Sequence, residues 1–112
     1  MKRPREAPIA PLGIGELDNV LQHRSRLGAA VLLARHEQLS FSRLKALLDE
    51  TDGNLGAQMR KLEEAGYVVS RKEFQDRRPV TWYGLTVKGH RVLSEHLANL
   101  ERLIDHARHA RK

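Results

Sequence analysis

The sequence predicts a mainly α-helical fold with one small β-hairpin, an α+β class, and three observations predict it. Apolar residues recur every three or four positions through residues 25–65 and again through 87–110, the period of a helix with one buried face. Between those tracts, residues 67–74 and 80–85 are rich in β-branched and aromatic side chains and flank the turn-forming run Gln75, Asp76, Arg77, Arg78 and Pro79, the pattern of two antiparallel strands. The chain has 112 residues, 40% hydrophobic and 30% charged, which suits one modest core and no second folded domain.

Pro4, Pro8 and Pro11 stand beside Lys2, Arg3 and Arg5, a composition that resists folding, so residues 1–14 read as a mobile basic arm and 15–112 as the folded domain. Leu17, Val20 and Leu21 suggest a short helical turn. A first helix follows from a Ser25 cap through Arg35, with Leu27, Val31 and Leu32 as its apolar stripe. Residues 39–41 are extended, and Ser40 can cap a second helix over 42–50 whose stripe is Phe41, Leu44, Leu47 and Leu48.

Only a tight turn separates that helix from a third, over residues 51–65, capped by Thr51 or Asp52 and stopped by Gly66. Its stripe is Leu55, Met59 and Leu62, and its polar side carries Asn54, Ala57, Gln58 and Lys61. Helix, tight turn and helix make a helix-turn-helix. In the hairpin, alternation turns Tyr83 and Leu85 inward and Trp82 outward, toward a partner or ligand.

Thr86 can cap a last helix to about residue 110, with Leu93, Leu97, Leu100, Ile104 and Ala107 at 4-3-4-3 spacing. Its length of roughly 36 Å exceeds what one small core covers, so part of the stripe is expected to meet another chain.

With no cysteine and a net charge of +6, disulfides and thiolate sites are excluded and a polyanionic partner is favoured. No apolar run is long enough to span a bilayer, so no membrane partner is expected and a cytoplasmic address is. No nucleophile motif or phosphate-binding glycine loop points to an enzyme. His96 and His106 lie about 80° apart around the last helix, a poor metal pair with His109, so neither metal nor cofactor is expected. Asn54 and Gln58 have the chemistry to pair with adenine edges, and Lys61 suits guanine or phosphate. Arg71, Lys72, Arg77 and Arg78 make the hairpin tip cationic, as phosphate or minor-groove contact requires.

The run Leu39-Ser40-Phe41-Ser42-Arg43-Leu44, then Thr51-Asp52-Gly53-Asn54-Leu55, then Leu62-Glu63-Glu64-Ala65-Gly66-Tyr67-Val68, then residues 77–89 from Arg77-Arg78-Pro79 to Lys88-Gly89 closely resemble small prokaryotic winged-helix transcriptional regulators of the MarR/ArsR-like kind. The resemblance covers residues 17–104. It implies a winged helix-turn-helix with a long C-terminal dimerisation helix, and a homodimeric repressor of double-stranded DNA with a pseudo-palindromic operator. The recognition helix would carry Asp52, Gly53, Asn54, Ala57, Gln58 and Lys61, and the wing Arg71, Lys72, Arg77 and Arg78. Dimer contacts would fall on Leu27, Val31, Leu93, Leu97, Leu100 and Ile104. A small-molecule effector is compatible but nothing indicates one. The alternative is a protein-protein interaction module on the same fold, without specific DNA binding.

Overall fold

The computed structural model describes residues 10–109, so most of the expected basic arm lies outside the described residues. The elements are α1 (Arg24–Arg35), β1 (Leu39–Ser40), α2 (Phe41–Leu48), α3 (Asp52–Glu64), β2 (Val68–Gln75), β3 (Arg78–Leu85) and α4 (Val87–Arg108). Single 3-10 turns at Ile14–Glu16 and Val20–Gln22 precede them.

Local chemistry sets most of the ends. The hydroxyls of Ser40, Thr51 and Thr86 accept the N–H groups of Arg43, Asn54 and Gly89 at 3.1, 3.2 and 2.9 Å, each satisfying an otherwise orphaned donor of a first helical turn. In α1 the cap is His23 instead of Ser25: its Nδ1 accepts the Ser25 N–H at 3.1 Å. Asp49, left-handed at φ 54, stops α2 before residue 50, and Gly66 at φ 80 terminates α3 as expected.

Leu21, Leu33, Leu44, Leu55, Met59 and Leu62 are fully enclosed, joined by Ala29, Ala30, Tyr67, Val68, Tyr83 and Leu93. One core therefore serves the helix-turn-helix, the sheet and the start of α4. In α1 the buried face is Ala29, Ala30 and Leu33, while Val31 is 43% exposed and Leu27 and Leu32 pack at the margin. α1 and α2 cross closely at Gly28, where a Cβ would stand 2.7 Å from Leu48 Cδ2.

The sheet runs β1-β3-β2, all antiparallel, with Leu39 opposite Tyr83 and Val68 opposite Leu85. Its register continues to Gln75 opposite Arg78, leaving a two-residue turn of Asp76 and Arg77, at φ 50 and 67. That turn is tighter than the five-residue run the sequence suggests. Tyr83 faces the core as expected; burial, then the Glu63 charge, raises its phenol above the ordinary range. Trp82 lies half-buried on the opposite face, where its Nε1 donates to Glu73 Oε1 at 2.8 Å.

Gly89 allows α4 to dock, since a Cβ there would fall 2.2 Å from the Tyr67 carbonyl oxygen. Leu93 is 3% exposed within this chain's own core, which removes it from the expected dimer contacts. His96, 2% exposed, accepts the Asp18 N–H on Nδ1 at 2.9 Å. The Asp18 carboxylate in turn accepts the Tyr67 hydroxyl at 2.7 Å and the Leu21 N–H at 3.1 Å. Burial first, then this bond to Asp18, pushes the Tyr67 pKa up to about 12. His96 thus ties the segment before α1 to α4, apart from the exposed His106 and His109. Beyond His96 the helix leaves the core, and Leu97 and Ile104 are 36% and 47% exposed. Among the described residues no helix is long and apolar enough to cross a membrane.

Candidate nucleic-acid interface

The helix-turn-helix presents α3 at the surface, and burial divides that helix differently from the expected polar stripe. Leu55, Met59 and Leu62 are fully buried as predicted, but Gln58 is buried with them at 8% exposure and Asn54 is half-buried. The outward face, centred opposite that row at 100° per residue, consists of Gly53, Ala57, Arg60 and Glu64, flanked by Gly56 on one side and Lys61 on the other. Gly53 and Gly56 have nothing within 4 Å of a would-be Cβ, so nothing in the chain's own packing requires glycine there. Among the described residues Arg60 and Lys61 enter no ion pair, whereas Asp52 is held by Lys45 at 3.0 Å.

What withdraws Asn54 and Gln58 is a polar ring between α1 and α3. The Arg26 guanidinium donates through Nε to the Val20 carbonyl at 2.6 Å and through Nη1 to Gln58 Oε1 at 2.5 Å. Gln58 Nε2 donates to Asn54 Oδ1 at 3.2 Å, and Asn54 Nδ2 to Glu50 Oε1 at 2.5 Å. The buried Ser25 hydroxyl closes the ring on Glu50 Oε2. Glu50 sits in the tight turn, and the Ser25 hydrogen bond first, then that of Asn54, holds its carboxyl below the usual glutamate range. The two side chains with adenine-reading chemistry are therefore already paired within the chain.

The wing is likewise divided by strand alternation. Arg71 lies on the outer face, ion-paired with Glu73 and donating to Gln38 Oε1 at 3.0 Å. Its charge is neutralised there. Lys72, Arg77 and Arg78 are exposed and enter no ion pair among the described residues. The expected residues that remain available together are thus Gly53, Ala57 and Lys61 on α3 and Lys72, Arg77 and Arg78 on the wing. Arg60 joins them. Its place on the wheel was legible, since it falls between Gly53 and Gly56; the partnership of Arg26 and Gln58, 32 residues apart, was not.

The winged helix DNA-binding domain family matches residues 25–104. A transcriptional regulator homologue from Pyrococcus horikoshii OT3 is 34% identical to this chain, covering 77% of it and 85% of its own length, with a TM-score of 0.72. MarR is 19% identical over 84% of this chain and 68% of its own, at a TM-score of 0.70. The PcaV transcriptional regulator from Streptomyces coelicolor is 15% identical over the same shares, also at 0.70. These last two share the fold. Among curated proteins no relative matches.

Proposed function

This chain belongs to the winged helix DNA-binding domain family, and from that premise we propose that it is a sequence-specific, homodimeric regulator of transcription that binds double-stranded DNA. The observation that carries this reading is the outward face of α3, where Arg60 and Lys61, in no ion pair among the described residues, stand beside Gly53, Gly56 and Ala57. Small residues let the helix axis approach a major groove, and an arginine reaching past them can pair bidentately with guanine O6 and N7. Lys72, Arg77 and Arg78 take phosphates and supply affinity more than sequence choice. Asn54 and Gln58 act through the position of the helix.

Dimerisation falls to the part of α4 beyond the core, where Leu97, Leu100 and Ile104 recur on one face, with Val31 of α1 also exposed. A two-fold dimer sets two copies of α3 in successive major grooves roughly 34 Å apart, which an inverted repeat matches.

Selection from a pool of random duplexes tests the reading by recovering an inverted repeat. If about six phosphates are neutralised, log K should fall against log salt with a slope near −5. Arg60→Ala should relax preference at one base-pair position at a loss of about 1–3 kcal/mol. Leu97→Glu with Ile104→Glu should sediment as a monomer. Recovery of no preferred sequence, with salt-independent binding, overturns the proposal.

A further inference from the structure

The wing carries one side chain that the reading above does not use. Phe74 is 77% exposed next to the hairpin tip, directly across from Pro79. The side of the hairpin it occupies is defined by Ser70, four residues earlier on the same face, whose hydroxyl donates to Glu63 on α3 at 3.1 Å. Phe74 therefore projects on the recognition-helix side, about 13 Å further out along the strand. The other side of the hairpin is filled by the Arg71, Glu73 and Trp82 cluster.

The ring's surroundings are cationic and stiff. Lys72 shares its face, and Arg77 and Arg78 follow at the tip, none in an ion pair among the described residues. The turn is the shortest a hairpin can use, and Pro79 fixes its own φ behind the ring. An uncovered phenyl beside cations that enter no ion pair among the described residues, on the side of the hairpin that faces α3 where Arg60 lies one turn before Glu63, fits a polyanion with apolar surface between its charges. The minor groove, with sugar edges and stacked bases between two rows of phosphates, has that character.

Resting on the DNA-binding reading, we propose that Phe74 is a wedge. Its ring enters the minor groove beside the α3 site and presses into a flexible pyrimidine–purine step, bending the duplex while Lys72 and Arg77 hold the flanking phosphates. Phe74 thereby adds preference for a deformable step that no side chain reads by hydrogen bonding.

The test uses the full chain and a 30-base-pair duplex recovered by the wild-type protein from a random pool, labelled with a fluorophore pair at its ends or with 2-aminopurine at successive steps. Wild type should shorten the end-to-end distance and brighten 2-aminopurine at one step in each half-site. Phe74→Ala should abolish both changes and weaken binding about tenfold, with an unchanged salt slope and thermal midpoint, and Phe74→Leu should retain part of the bend. Equal bending and equal 2-aminopurine signals for wild type and Phe74→Ala overturn the wedge while leaving DNA binding intact. A loss of self-association in Phe74→Ala with the bend unchanged also overturns it, by assigning the ring to a second copy of the chain. Absence of salt-dependent duplex binding by the wild type overturns the wedge together with the function it rests on.

Discussion

Arg26 Nη1 meets Gln58 Oε1 at 2.5 Å, and this bond from α1 to α3 engages the Gln58 amide beside the buried row of Leu55, Met59 and Leu62. Gln58→Leu leaves the half-buried guanidinium and Asn54 Oδ1 without that partner, so it should lower stability by about 2 kcal/mol. Arg26→Met with Gln58→Leu removes both polar ends and should recover about 1 kcal/mol of that loss. Urea unfolding of the two single variants and the double variant measures the coupling; strictly additive losses would refute the pairing.

Glu50 closes the same ring in the turn before α3, and hydrogen bonds from Ser25 and Asn54 lower its pKa. A carboxyl depressed on folding contributes stability that is fully present above the unfolded value, about 4.3, and is lost as pH falls through the lower folded value. Glu50→Gln should therefore be less stable than wild type at neutral pH, with the gap closing below about pH 4. Unfolding curves taken stepwise from pH 7 into the acid range would show it, and a gap of constant size would count against the assignment.

Gly56 weakens α3 without any internal reason for being glycine. Gly56→Ala should stabilise the chain by up to about 1 kcal/mol, the helix-propensity difference, yet weaken duplex binding because the methyl lies on the face that approaches the groove. Thermal unfolding and DNA titration should move in opposite senses. If both improve together, that face does not meet DNA.

Arg77 occupies the second turn position at φ 67, where a non-glycine residue is strained. Arg77→Gly should raise stability by about 1 kcal/mol and reduce the slope of log K against log salt by about 1. Raised stability with an unaltered slope would separate Arg77 from the phosphate contacts.

Local chemistry made much of this legible. A hydroxyl at an N-cap acts on an amide three residues away, so Ser40 and Thr86 could be named, and the α3 cap narrowed to Thr51 or Asp52, without knowing what packs around them. Periodicity likewise placed Leu55, Met59 and Leu62 in the core. In α1 it placed Leu27 and Leu32 against the core but included the exposed Val31 and missed Ala29, Ala30 and Leu33, because which side of α1 is covered depends on elements distant in the chain.

By itself, then, the sequence determined the order of elements, the caps of α2 and α4, the hairpin, the cationic balance and the family resemblance, all of which depend on neighbours in the chain or on sums over it. Only the tertiary structure decided which polar groups stay available. Gln58 and Arg71 look as free as Arg60 and Lys72 in the sequence, but Arg26 reaches the first from α1, and Gln38 and Glu73 engage the second. A hydrogen bond forms between groups close in space, and that closeness is set by how helices and strands pack.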